Sequence, residues 1–405
     1  MEAVIDPHFD LLRERGLAIR AARLDDLPRA IEMFNLAETE LIGACMWTAE
    51  RYQQEWKFPG FDLEEDTRLV LAPDGSPVGC AEVWTLLDPP VHPWMWSRVH
   101  PAWRGQGIGT GLLAWSLTRA LQAIGRVPPQ ARFAPRVAAP LGHEPSVALF
   151  RDFGFEPVRH SWTMCIDLDV LPPAAAWPAG IRLRPFRHPQ DLHPVYTATI
   201  DAFRDHWGFV EAPLEQGFRQ WTHASVELRP FDPSLWFVAV EGEEIAGIAL
   251  CRAHADEDPE MGWVDTLGVR RPWRKRGLGL ALLLHAFSAL RATGARRAGL
   301  GVDAANLTGA ARLYTRAGMH VLRESTAFEL ELRPGEELAR LEQRPAACGK
   351  SRPLPRQPST PGTRAVAAWV VPAPLPGTRS PRYRHGCRRC PLSCRSPAPS
   401  PPQGW

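Results

Sequence analysis

Lysine is almost missing from this 405-residue chain, with Lys57, Lys275 and Lys350 as its only three. Arginine carries the positive charge instead. With the heavy Ala, Gly and Pro content, that bias follows from GC-rich coding and points to no function. No uncharged apolar run approaches the roughly 20 residues that a membrane-spanning helix needs. The first residues, MEAVIDPHFDLLRERG, place acids where a secretory leader has a basic region and an apolar core. A cytoplasmic protein with no membrane partner is expected. Acid is absent from one end: from Pro345 onward there are ten Lys or Arg and no Asp or Glu. The net charge of +2, less those ten, leaves −8 on the rest of the chain. Such a body lacks the broad cationic surface that nucleic acid requires, so no nucleic-acid partner is expected. Cysteine is scattered: Cys45, Cys80, Cys165 and Cys251 stand alone, as buried reduced thiols do.

What is present is a globular composition, 45% hydrophobic and 23% charged, and a length that suits two to three domains at about 150 residues each. An internal repeat organises it. Val99-His-Pro-Ala-Trp-Arg-Gly-Gln-Gly-Ile-Gly109 matches Val269-Arg-Arg-Pro-Trp-Arg-Lys-Arg-Gly-Leu-Gly279 at an offset of 170 residues. The strand pairs Leu69–Ala72 with Val78–Ala81, and Phe237–Val240 with Ile245–Ile248, repeat a hairpin ahead of each match. Leu149-Phe150 pairs with Leu313-Tyr314 on helices that end at Gly154 and Gly318, where a left-handed residue is wanted. Each copy opens on a short strand (17–20; 181–184) and a helix (about 24–40; about 190–202). The expected organisation is an N-terminal extension (1–16), a first copy (17–170), a Pro/Ala linker (171–180), a second copy (181–333) and a tail (334–405). Pro makes up fourteen of the last 61 residues, so the tail cannot bury enough surface to order itself.

The chemistry concentrates in the second copy. A strand (263–269) runs into a basic loop and then an apolar-faced helix (278–290). At their junction stands Arg274-Lys275-Arg276-Gly277-Leu278-Gly279, with Arg270 and Arg271 just before. Free N–H groups at a helix start and the positive end of its dipole bind anions, and glycine lets the main chain approach them. That is a cradle for a diphosphate. A dinucleotide fingerprint would need a third Gly where Leu282 stands, and a nucleoside-triphosphate loop would need Gly-Lys-Ser/Thr; neither is present.

Arg-x-x-Gly-x-Gly after a strand resembles the acetyl-CoA motif of the GNAT superfamily of N-acyltransferases. It occurs twice, and the resemblance covers about residues 17–333. It implies an α/β fold: two tandem domains, each a mixed, mostly antiparallel sheet flanked by helices, with a splayed central strand pair. It further implies that acetyl-CoA, or another acyl-CoA, gives its acyl group by direct attack of a small-molecule or peptide amine. The cofactor-binding positions fall on Leu267, Val269, Arg274, Lys275, Arg276, Gly277, Leu278, Gly279, Leu280 and Asn306. In the first copy they fall on Val99, Arg104, Gly105, Gln106, Gly107, Gly109 and Thr110. The Leu267 N–H is the candidate for polarising the thioester carbonyl. Tyr314 stands where the family's acid stands. Asp265 shares a strand face with Trp263 and Leu267 by period-two alternation, and is the candidate base or amine anchor. Trp47, Trp56, Trp207 and Trp221 fall in segments that line the acceptor in the family.

The first copy departs at these positions. Aligned on the neighbouring matches, Tyr314 corresponds to Phe150, Asp265 to Met95, and Asn306 to about Gly142. Phe cannot donate a proton and Met cannot accept one. The chemistry is therefore expected in the second copy, as unequal tandem members of the family would have it. The alternative is a non-catalytic acyl-CoA sensor or partner-docking module. Cys387, Cys390 and Cys394 with His385 in the tail have zinc-binding atoms but no folded context, and no metal is expected.

Overall fold

The computed structural model describes residues 7–170, 173–305 and 309–339. In the first copy the elements run α1 (Pro7–Glu14), β1 (Ala18–Arg20), α2 (Leu27–Ile42), α3 (Ala49–Trp56), α4 (Leu63–Asp66), β2 (Thr67–Leu71), β3 (Pro77–Trp84), β4 (Trp94–Val99), α5 (Ile108–Gln122), β5 (Arg136–Pro140), α6 (Glu144–Asp152) and β6 (Glu156–Asp167). The second copy repeats the order: β7 (Ile181–Pro185), α7 (Leu192–Phe203), α8 (Leu214–Thr222), β8 (Trp236–Glu241), β9 (Glu244–Arg252), β10 (Met261–Val269), α9 (Leu278–Ala292), β11 (Arg297–Asp303), α10 (Ala310–Arg316) and β12 (His320–Glu329). The fold is α/β, a mixed sheet flanked by helices, in two tandem units. None of the described helices is long and apolar enough to cross a membrane.

The periodicities explain the elements. Helix α2 buries Ala30, Ile31, Phe34 and Ala37, the stripe that a 3.6-residue period puts on one face. It ends where Gly43 turns left-handed at φ 78°. Helix α9 is apolar on nearly every side because it is sunk between the sheet and its neighbours; Leu282, Leu283, Phe287 and Leu290 are fully covered. The N-terminal extension contributes α1, whose Phe9 and Leu12 join the core around α5. Trp177 of the linker does the same in the second copy, packing against the core around α9.

How the copies join is not visible in the pattern of residues. All twelve strands form one sheet in the order β1-β2-β3-β4-β5-β12-β6-β11-β10-β9-β8-β7. The final strand of each copy lies beside the fifth strand of the other. β6 runs antiparallel to β11, from Arg297 opposite Asp167 to Asp303 opposite Ser161. β12 runs antiparallel to β5, from Ser325 opposite Pro140 to Glu329 opposite Arg136. The two exchanged strands then pair with each other at the centre. Each copy's sheet is thus completed by the other's chain. Arg333, the last residue of the second copy, and residues 334–339 of the expected tail pack on the first copy: Phe133 N–H donates to Arg333 O (2.9 Å) and Arg132 N–H to Glu336 O (2.7 Å).

Candidate active site

The site begins where two parallel strands part. β10 pairs with β11 only from Met261 to Trp263. Beyond that point β11 diverges, while β10 stays bonded to β9 as far as Val269. Arg270 N–H donates to Ala246 O of β9 (3.0 Å). Bonded residues alternate in an antiparallel ladder, so Gly268 and Arg270 face β9. Leu267 and Val269 turn their N–H and C=O groups toward the gap. The first copy shows the same parting: β4 and β5 pair only at Trp94 and Arg136.

A cleft of about 1080 Å³ opens from that gap. Its floor is Leu267, Gly268 and Val269, and one rim is the loop from Arg274 to Gly279. Lys275 takes φ 64°, the one non-Gly residue among those described with a positive φ, and Gly277 takes φ 89°. Gly105 (φ 75°) and Gly107 (φ 85°) trace the same path in the first copy. Alternating left-handed residues turn successive N–H groups into one concavity, a nest for an anion. Helix α9 starts directly behind it and adds its dipole.

The loop's cations are arranged differently from the uniform positive field that their number implies. Arg270 Nε donates to Asp201 (2.7 Å), and Arg274 donates to Asp205 (2.5 Å), to Ala202 O (2.8 Å) and to Val269 O (3.1 Å). Arg276 donates to Glu241 (2.8 Å) and to Ala179 O (2.9 Å). The Arg274 guanidinium holds Asp205 below the usual carboxylate range, and Arg276 does the same to Glu241. These arginines clamp the loop to α7, β8 and the linker. Lys275, Arg312 and Arg316 have no ion pair among the described residues; all three line the cleft. Sequence reasoning missed Arg312 and Arg316. Their spacing of four on α10 puts both on one helical face, but only the fold shows that this face borders the cleft.

Tyr314 sits on the same helix, 8% exposed, on the cleft wall. Burial pushes its hydroxyl up to about 12, and no described residue hydrogen-bonds it. The first-copy counterpart, Phe150, is equally buried but packs against Phe155 and Phe328, with ring centroids 6.0 and 5.5 Å away. Asn306 lies outside the described residues.

Asp265 corrects the strand reading. The register of β10 on β9 slips between Val264 and Thr266, so Asp265 is the extra residue of a β-bulge. Val264 and Leu267 both pack toward the α9 core, whereas Trp263 packs in a separate cluster with Met261 and Cys165. Asp265 therefore shares a face with Trp263 but not with Leu267, because the bulge inverts the alternation between them. The pairing of Asp265 with Met95 also falls. Gly79 opposite Val99 matches Gly247 opposite Val269, and from there Met95 opposite Val83 matches Val264 opposite Cys251. Met95 and Val264 are both 3% exposed core residues. The first copy's β4 runs on β3 without a bulge and has no counterpart of Asp265.

The bulged carboxylate borders the cleft. Its side chain is 36% exposed and takes both its oxygens to Arg252 Nε, at 3.1 and 2.9 Å. Desolvation by the surrounding walls raises it above the ordinary Asp range, against the pull of Arg252. The four tryptophans do not line the cleft. Trp56 donates to the buried Glu82 (2.8 Å), Trp47 lies under Arg51, Trp207 under Arg136, and Trp221 against Trp236. Among the described residues no group of three or more His, Cys, Asp or Glu could hold a metal. The Cys387–Cys394 segment lies outside them.

A duplicated strand–nest–helix, each beside a parting pair of strands, places the chain in the acyltransferase class. The acetyltransferase (GNAT) family model matches residues 30–155 and again 192–319; the chain belongs to that family, as a tandem GNAT N-acetyltransferase. It is 32% identical over 263 residues to the mycothiol acetyltransferase of Thermobispora bispora, covering 62% of this chain and 79% of that one. A GCN5-related N-acetyltransferase from Sphaerobacter thermophilus superposes with a TM-score of 0.66 at 34% identity, covering 80% of this chain and 98% of that one. A tandem GNAT protein from the clavulanic acid biosynthesis pathway has a TM-score of 0.58 at 16% identity, covering 79% of this chain and all of that one, and shares the fold.

Proposed function

We propose that the second copy transfers an acetyl group from acetyl-CoA to a small-molecule primary amine, by direct attack while both substrates are bound. The observation that carries this reading is the shared cleft: the nest at Lys275–Gly279, the free edge of β10, Asp265 and Tyr314 all border it. The nest residues, with Lys275, Arg312 and Arg316, would hold the coenzyme's phosphates. The Leu267 N–H would donate to the thioester oxygen as negative charge gathers there. The amine nitrogen bonds the acetyl carbon, and the C–S electron pair leaves on sulfur. Of the two protons that an ammonium gives up in becoming an amide, one leaves through Asp265, directly or by water. The other offsets the charge on the thiolate beside Tyr314.

Tyr314 has a constrained role. A phenol near 12 is a weaker acid than a thiol near 8.5. Tyr314 therefore stabilises the thiolate as a hydrogen-bond donor before any full proton transfer. The relatives named mycothiol acetyltransferases act on an amine of small-molecule size on this reading, and the same size class is assigned here. The test is a thiol-release assay with acetyl-CoA and a panel of amines. Asp265→Asn is expected to lower kcat/KM about a hundredfold while acetyl-CoA affinity holds. Turnover by Asp265→Asn at the parent rate would remove the carboxylate from the reaction.

A further inference from the structure

The second copy touches the first next to the cleft. The segment between α7 and β8 crosses onto the first copy. Trp207 lies over the Arg136 guanidinium at 4.1 Å, and His223 Nε2 bonds Gln54 O of α3 at 2.9 Å. The same helix α3 sends Arg51 into the loop between β9 and β10. Arg51 Nη1 stands 3.0 Å from Asp256 Oδ2, and its guanidinium lies 4.5 Å over the Trp47 ring. Asp256 Oδ1 takes Arg252 Nη1 at 2.9 Å. Arg252 Nε in turn holds Asp265. The result is an alternating chain, Arg51–Asp256–Arg252–Asp265, that starts in one copy and ends at the cleft of the other. Arg51, Asp256 and Arg252 are 12%, 15% and 12% exposed, so solvent screens these contacts far less than it screens surface ion pairs.

We propose that Arg51 of the first copy is a positioning residue for the reaction, fixing the bulged Asp265 through Asp256 and Arg252. Arg252 is shared by two carboxylates. With Arg51 in place, Asp256 is satisfied from the other side, where Arg229 also approaches it at 3.4 Å. Arg252 is then free to hold Asp265 with its Nε. Without Arg51, Asp256 draws the Arg252 guanidinium toward itself, and Asp265 loses both its orientation and its neutralising partner. The charged and titratable groups that face Asp265 are Arg252, Arg229, Asp256 and the buried thiol of Cys251. Removing Arg51 takes one positive charge from the cluster around Asp256 and Arg252, which disfavours the ionised form of Asp265. The first copy thereby contributes to catalysis without chemistry of its own.

The proposal rests on Asp265 as the base, and its test separates the two ideas. kcat/KM for the amine would be measured against pH for Arg51→Met, Arg51→Lys, Asp265→Asn and the Arg51→Met/Asp265→Asn double variant, with acetyl-CoA binding by calorimetry as the check on folding. Arg51→Met is expected to move the acidic limb of the profile up by about one pH unit with acetyl-CoA affinity unchanged. Arg51→Lys keeps the charge and should keep the limb near its parent position. In the Asp265→Asn background, Arg51→Met should have no further effect, since coupled residues are not additive. An unmoved limb in Arg51→Met, beside a deep loss in Asp265→Asn, overturns the positioning role and leaves Asp265 as base. An Arg51→Met loss that is the same in both backgrounds overturns it too, marking a structural role. Full turnover in Asp265→Asn overturns the base, and the proposal with it.

Discussion

The loops at 104–109 and 274–279 trace the same backbone, yet the second borders a cleft lined by a carboxylate and a phenol. Gly105 and Gly107 adopt the left-handed angles that Lys275 and Gly277 adopt. The anion nest is therefore a property of the duplicated fold, and catalysis depends on what surrounds it. The second copy adds a bulge that swings a carboxylate out of the strand, a hydroxyl on α10 and unpaired cations at the rim. The first copy keeps a straight β4 and a phenyl ring. Its own carboxyl at Glu82 is 2% exposed and used internally, accepting from Tyr52 and Trp56 at 2.8 Å each and Trp84 at 3.1 Å. One copy has this carboxyl turned inward to hold itself together, and the other has a carboxylate and a phenol on the wall of a cleft.

Exchanging the aromatic pair should break that symmetry most. Tyr314→Phe is expected to lower kcat on the order of 10²–10³-fold, the cost of losing one donor to developing charge. Phe150→Tyr should restore nothing, because the first copy lacks the bulge. Thiol release by the single and double variants checks both. A double variant recovering parent turnover would move the chemistry to the first copy.

Glu82 supplies the next effect, on stability alone. Burial raises its carboxyl from the usual 4.5 to about 7, opposed by the Trp56, Tyr52 and Trp84 donors. Between those values the unfolded chain loses its proton while the folded one keeps it. The contribution of Glu82 to stability is therefore full below pH 4.5, falls as pH rises toward 7, and is gone above, a loss on the order of 3 kcal/mol. Glu82→Gln should flatten this slope in urea melts taken at pH 4.5 and 7.5. A slope that survives the substitution would belong to another group.

Lys275→Gly gives the second loop the glycine that Gly105 gives the first, and has the smallest expected effect. Relief of the left-handed strain should stabilise the fold by about 1 kcal/mol. Loss of the unpaired ammonium should weaken acetyl-CoA binding about tenfold, or roughly 1.4 kcal/mol. A melting curve and a calorimetric titration of one variant read both signs. Stability and affinity rising together would contradict the assignment of Lys275 to the phosphates.

The pattern Arg-x-x-Gly-x-Gly revealed the nests because backbone angles at glycine are legible in a sequence. The duplication revealed the two units for the same reason. The bulge was not legible: one inserted residue leaves a constant offset of 170 intact in the loop and misaligns only the strand before it. Asp265 was found by its chemistry while its face and its counterpart were misread. Strand exchange left no trace either, since β6 and β12 carry the same alternation whichever edge they join. Arg274 was taken for a ligand cation, but its partners Asp205 and Ala202 are about seventy residues away in sequence. Only the fold brings them together.

Amide hydrogen exchange with and without acetyl-CoA tests the central claim most directly, because the main-chain N–H groups are the proposed ligands. The account predicts slowed exchange across Lys275–Leu280 on addition of acetyl-CoA, lost in parallel with affinity in Lys275→Gly. Slowing confined to Gly105–Thr110, with Lys275–Leu280 unchanged, would contradict it.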